Sequence, residues 1–136
     1  MNYLLDTNAV VAMLRNKPAA VRERFAEAAG NGSSIAVSSI VLFELWYGVE
    51  KSQQVPENTE RLRLFLSGDL ELLDFDDEDA QTAGRVRALL EKAGTPIGAY
   101  DVLIASQALR RGLTVVTANT SEFSRVSGLN LVDWTN

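Results

Sequence analysis

Tyr3-Leu4-Leu5-Asp6-Thr7-Asn8-Ala9-Val10-Val11-Ala12-Met13-Leu14 places a short apolar run, an acid with two small polar residues, and a longer apolar run in succession. The first run reads as a short buried strand over Tyr3 to Leu5. The second reads as a helix from Ala9 to Leu14 that must stop near Lys17, because Pro18 disfavours the helical conformation in the residue before it. Pro18 then suits the first turn of a second helix carrying Val21, Phe25, Ala28 and Ala29, with Gly30-Asn31-Gly32 as its stop. Ile35 to Val37 is the next strand. Ser39 is a plausible N-cap for a strongly apolar helix from Ile40 to about Glu50, and Val55-Pro56-Glu57-Asn58 reads as a loop. A helix follows through Leu62, Phe65 and Leu66, then a strand from Leu70 to Phe75. Asp76-Asp77-Glu78-Asp79 introduces a helix to about Lys92, where negative charge complements the dipole. Another helix spans roughly Ala99 to Arg110, Leu113 to Thr117 makes a strand, and Leu129 to Val132 adds a short edge strand. Strands alternating with helices predict an α/β fold of three layers, with a central, mainly parallel sheet of four to five strands.

A length of 136 residues predicts one domain over 1–136. Hydrophobic residues form 46% and charged residues 23% of the chain, an ordinary globular composition. No apolar run is long enough to cross a bilayer and nothing resembles a signal peptide, so a cytoplasmic protein is expected. There is no cysteine and no histidine, which removes disulfides, thiolate sites, thiol nucleophiles and the commonest general base. Any chemistry must use oxygen. The net charge of −5 argues against non-specific wrapping of nucleic acid but not against a nuclease with local charge, since a metal-loaded carboxylate site presents positive charge to phosphate.

The informative charges are isolated ones. Asp6 is the only charged side chain between Met1 and Arg15, Glu44 the only one between Glu27 and Glu50, and Asp101 the only one between Lys92 and Arg110. Each interrupts an apolar segment, where a carboxylate without a partner costs several kcal/mol or protonates. Convergence of the three would require a shared cation, and an all-oxygen cluster suits Mg²⁺ or Mn²⁺. Asp6 follows the first strand and so lies at its carboxyl end, where open α/β sheets place their sites. Asn119 follows a later strand and occupies an equivalent place. Capping of backbone N–H groups accounts for Asp6 or Asp101 taken singly, but not for Glu44 beyond its helix's first turn. Trp46 and Tyr47 lie on the most apolar helix and are expected in the core.

Four stretches carry a resemblance over Met1 to Trp134: Leu5-Asp6-Thr7-Asn8, Ser38 to Gly48 around Glu44, Gly94 to Ala105 around Asp101, and Val116-Thr117-Ala118-Asn119-Thr120-Ser121-Glu122-Phe123 with Gly128-Leu129 and Asp133-Trp134. In this order and spacing they resemble the PIN domains, in particular the VapC-type toxin ribonucleases of toxin–antitoxin pairs. The resemblance implies that Asp6, Glu44 and Asp101 bind metal and that Thr7 and Asn8 orient Asp6 or the substrate. Many PIN domains have an aspartate where this chain has Asn119, so Asn119 would be an uncharged fourth ligand or would position water, with Glu122 as compensation.

The reaction implied is hydrolysis of an RNA phosphodiester by metal-activated water. The implied substrate is structured RNA such as initiator tRNA. Arg85, Arg87, Arg110 and Arg111 are candidates for phosphate contact. The implied partners are a VapB-type antitoxin covering the acidic groove and a second copy of the chain, for which Val10, Met13 and Leu14 offer an apolar surface. Three other readings stay open at this point: a phosphoacceptor regulatory domain using Asp6, a non-catalytic RNA-binding or scaffold protein of the same fold, and DNA cleavage by the same site. The first expects a lysine at a later strand end, and none of Lys17, Lys51 and Lys92 occupies one.

Overall fold

The computed structural model describes residues 1–136. The chain runs β1 (Tyr3–Leu5), α1 (Thr7–Arg15), α2 (Ala19–Gly30), β2 (Ile35–Ser38), α3 (Ser39–Glu50), α4 (Val55–Leu66), β3 (Glu71–Leu73), α5 (Asp77–Lys92), α6 (Ala99–Arg111), β4 (Thr114–Val116), α7 (Thr120–Phe123) and β5 (Asn130–Val132). The strands form one parallel sheet in the order β3-β2-β1-β4-β5, the centre of a three-layer α/β/α fold. Covered on both sides by helices, the inner strands read as unbroken apolar runs: Leu4, Leu5, Val37, Val115 and Val116 are fully or almost fully buried.

The topology creates the site. From β1 the chain moves outward to β2 and β3 on one side, then crosses to β4 and β5 on the other, so β1 and β4 flank the point where the strand order reverses. Helices leave this junction on opposite faces and open a crevice beyond the carboxyl ends of the strands. Register is in step there: Leu5 pairs with Val37 and with Val116, and Val116 with Val132. Asp6, Thr117 and Asp133, each one residue farther along its strand, therefore stand in one row.

Several local expectations are corrected. Ser38, not Ser39, caps α3 by accepting the Ile40 N–H; the Ser39 hydroxyl instead accepts from the Phe75 N–H and ties α3 to the segment after β3. Val55 to Asn58 is not a loop but the first turn of α4, where Pro56 loses no hydrogen bond because first-turn N–H groups have no partner within the helix. Pro18 lies just outside α2 as its N-cap residue, and α1 ends at Arg15 because Asn16 adopts a left-handed conformation, φ 52°. The short helix α7 was not foreseen.

Tyr47 is 60% exposed and Trp46 only partly buried, against the expectation that both are core. The reason is helical phase. Val41, Leu45 and Val49 take the buried stripe of α3 at four-residue intervals, which turns Phe43 and Tyr47 outward. The apolar surface expected around Val10, Met13 and Leu14 is not one either: Val10 and Met13 belong to the core and Leu14 packs against it.

The acidic run caps α5. Asp76 and Asp79 form a reciprocal capping box, and the fully buried Asp79 side chain accepts from Arg110 Nε at 2.7 Å, Arg111 Nη2 at 2.9 Å and Gln107 Nε2 at 3.2 Å. Burial would raise the Asp79 pKa, but the hydrogen bonds from Arg111, the Asp76 N–H and Arg110 hold it at about 2. This cluster clasps the start of α5 to the end of α6. Arg110 and Arg111 are thus structural cations, not phosphate contacts, with Glu78 and Asp76 also drawn in.

Candidate active site

Asp6 is placed by β1 and held by α1. Its Oδ1 accepts the Ala9 N–H at 2.7 Å, which caps the helix, and only 4% of the residue is exposed. Burial pushes its carboxyl pKa up; hydrogen bonds from the Thr117 hydroxyl and Ala9 N–H pull the other way, and Glu44 and Asp133 raise it further. The capping reading of Asp6 is therefore correct as far as it goes, but it leaves the neighbouring negative charges of Glu44 and Asp133 unexplained.

Glu44 reaches the same edge from the second turn of α3. The Thr7 hydroxyl donates to its Oε1 at 2.7 Å. Asp101 comes from the first turn of α6, whose N-cap is Gly98 and offers no side-chain cap. A Cβ on Gly98 would stand 3.4 Å from Asp101 Oδ2, an ordinary van der Waals contact, so Gly98 lies against the carboxylate without being required there by space. The Asp101 pKa is raised to about 6 by burial and by Glu122, Asp6 and Glu44, against a lowering hydrogen bond from Asn119.

Asn119, at the mouth of β4, donates its amide to Glu122 as well, while its own backbone N–H is held by the Thr117 hydroxyl. Its amide nitrogen thus ties Glu122 to Asp101, which leaves only its carbonyl oxygen for the ligand role expected of it. Asn8 is exposed and shares a small hollow with Thr117, Asp133 and Thr135. The hydrogen bonds run differently from expectation: Thr7 orients Glu44, and Asp6 receives its side-chain hydrogen bond from Thr117. Arg87 is not at the site; it pairs with Glu91 one helical turn away on α5, at 3.0 Å.

The site sets Asp6 in the field of Glu44 and Asp133, and Asp101 in that of Glu122, Asp6 and Glu44, and none of the five takes part in any ion pair of the protein. Sequence reasoning picked four of them but passed over Asp133, and over Thr117 as a support. The signal for Asp133 and Thr117 was their position one residue past a strand, the same rule that singled out Asp6. Unpaired acids sharing a desolvated crevice fit a hard divalent cation by charge and donor type. No three of the carboxylates stand together at ligating distance, so binding would require rotamer shifts that draw Asp6, Glu44 and Asp101 inward.

Residues 3–129 match the PIN domain family. The chain is 43% identical over 134 residues to the tRNA(fMet)-specific endonuclease VapC of Shigella flexneri and 44% identical to the protein of that name from Salmonella typhimurium, in each case covering 98% of both chains. It superposes with a TM-score of 0.91 on a chain of VapBC2 from Rickettsia felis, crystallised with a promoter DNA fragment, at 41% identity over 98% of this chain and 99% of that one. This chain belongs to the PIN-domain family, and within it to the VapC ribonucleases. Like VapC and its relatives it is a nuclease. The phosphoacceptor reading falls away with the family.

Proposed function

We propose that this VapC protein is the toxin of a toxin–antitoxin pair and hydrolyses structured RNA, initiator tRNA first among candidates, with Mg²⁺ or Mn²⁺ bound by Asp6, Glu44 and Asp101. The observation that carries the reading is the set of mutually repelling carboxylates that no lysine or arginine pairs with, in a chain lacking any histidine or cysteine. Asp6, Glu44 and Asp101 would hold the ion, and its chemistry there would be that of a Lewis acid toward water and phosphate. The chain's own groups set the geometry. Thr7 fixes the Glu44 carboxylate, Thr117 and the Ala9 N–H fix Asp6, and Asn119 holds Asp101 against Glu122. Asn8, exposed and two residues past Asp6, is the residue that this reading assigns to contact the ribose–phosphate chain.

The name of the enteric relatives supports the tRNA substrate, and the VapBC assemblies support a VapB-type antitoxin as the partner, which in this reading covers the acidic crevice. A homodimer belongs to the same reading. Its best surface is the aromatic patch of Phe43, Tyr47 and Tyr100, all exposed, in which Phe43 and Tyr100 meet edge to face at 5.8 Å between ring centroids. No helix is long and apolar enough to cross a membrane. The test is cleavage of initiator tRNA by purified protein with Mg²⁺ or Mn²⁺ and with excess chelator, alongside Asp6→Asn, Glu44→Gln and Asp101→Asn and a DNA strand of the same sequence. Metal-dependent RNA cleavage lost in all three variants is expected. Full activity in chelator, or cleavage of the DNA alone, overturns the reading.

A further inference from the structure

The protein has thirteen lysines and arginines, fewer than its acids, so the cations that can meet a polyanion are identified by removing those already engaged. Arg110 and Arg111 are held by Asp79, Arg87 by Glu91 and Arg125 by the Pro96 carbonyl. Arg22 donates to the Met13 carbonyl and Arg24 to the Asn136 carbonyl, while Arg63 lies over Trp46 and Lys51 over Tyr47. The side chains of Arg15, Lys17, Arg61, Arg85 and Lys92 make neither an ion pair nor a hydrogen bond.

Two of these five free cations, Arg15 and Arg61, line one groove of about 220 Å³ between α1, α3 and α4, and the same groove is lined by Thr7 and Glu44. It therefore opens directly from the acid cluster. Arg15 closes α1 and Arg61 lies in the middle of α4, so the guanidinium groups approach from two separate helices. Leu14 and Leu45 contribute an apolar floor between them. Asn58, also on the groove, donates its amide nitrogen to Ser52 Oγ at 3.0 Å and has no partner for its carbonyl oxygen.

We propose that this groove is the subsite for the RNA nucleotide next to the scissile phosphate, with Arg15 and Arg61 binding the backbone phosphate and the floor and Asn58 receiving the base. This rests on the ribonuclease reading above and says where its substrate lies. Guanidinium groups bind phosphate oxygens in a bidentate way and offer a flat face to an unstacked base, the two modes by which single-stranded RNA is held. A strand entering here meets positive charge first and then the acids, which is the order a net-negative nuclease needs to draw a polyanion to a carboxylate site.

The test measures binding apart from cleavage. In an Asp101→Asn background with Mg²⁺ present, affinity for fluorescently labelled initiator tRNA is followed against salt concentration for Arg15→Ala, Arg61→Ala and the double variant. Each lost phosphate contact should flatten the slope of log K against log salt by about 0.7 to 0.9, and the double variant should weaken binding on the order of tenfold at fixed salt. Arg→Lys at either position should restore much of the slope, and with Asp101 intact the two alanine changes should raise KM while kcat stays within about twofold. Arg→Gln keeps much of the aliphatic stem and serves where alanine lowers the melting temperature. Unchanged affinity and slope in the double variant of a protein that binds and cleaves RNA would overturn the subsite alone. So would loss of antitoxin binding with RNA binding intact, which would assign the groove to a peptide. A protein that neither binds nor cleaves RNA would overturn the subsite and the ribonuclease reading together.

Discussion

Replacing Asp101 by asparagine should make the metal-free protein more stable while abolishing its activity. The Asp101 pKa stands at about 6 against an ordinary 3.8, raised by burial and by Glu122, Asp6 and Glu44. At about 1.4 kcal/mol per unit, a shift of this size would cost about 3 kcal/mol in a carboxylate sealed from water. Water reaches part of Asp101, and screening reduces the expected cost to about 1 kcal/mol. Because the folded pKa lies above the unfolded one, the folded chain keeps a proton that the unfolded chain has released, and stability falls as pH rises from about 4 to about 6. Above that window the wild-type protein bears the full cost, and Asp101→Asn, which keeps the shape without the charge, does not. The variant should therefore melt roughly 2–5 °C higher at about pH 8 in chelator and nearly equally at about pH 3, below both pKa values, where the wild-type carboxyl is mostly protonated in both states. Saturating Mg²⁺ or Mn²⁺ should reverse the order, since an ion at a hundredfold excess over its Kd adds about 2.7 kcal/mol to a protein that binds it only when folded. Thermal unfolding followed by circular dichroism at the two pH values, with chelator and with metal, makes the measurement. A variant that melts lower than wild type in chelator at high pH, or one whose advantage is the same at both pH values, would refute the account of Asp101 as an uncompensated charge.

Thr7→Val, which removes the 2.7 Å hydrogen bond to Glu44, should lower kcat by about tenfold with the fold intact, seen as normal circular dichroism beside slow RNA cleavage. Asn119→Asp exchanges a donor shared by Glu122 and Asp101 for another negative charge and should lower activity at limiting metal; higher activity with tighter metal binding would instead indicate a second ion. Asp79→Ala leaves Arg110 and Arg111 without their buried partner and should destabilise by about 3 kcal/mol in urea unfolding, with activity kept in the fraction that remains folded. The Asp79 contribution should be lost as pH falls from about 4 toward about 2, because its folded pKa is lowered. Tyr47→Asp should shift light-scattering mass from dimer to monomer, whereas Met13→Ala should act through stability.

The alternation of apolar runs was enough to read the α/β class and the parallel sheet, because strands buried on both faces need no polar alternation and each parallel crossover needs a helix. Isolation in apolar surroundings marked Asp6, Glu44 and Asp101, since an unpaired charge in a core segment carries a cost that only a site explains. What the chain order could not reveal was pairing across distance. Thr7 follows Asp6 yet serves Glu44, 37 residues away, and Asp6 is served by Thr117, because sheet register sets those neighbours. The arginines show the same limit. Arg110 and Arg111 looked free in sequence and are locked to Asp79, while Arg15 and Arg61, unmarked by any motif, line the groove beside Glu44. A side chain's charge is a property of its residue, readable from one position, but whether that charge is neutralised depends on helices that meet only when the sheet closes between them.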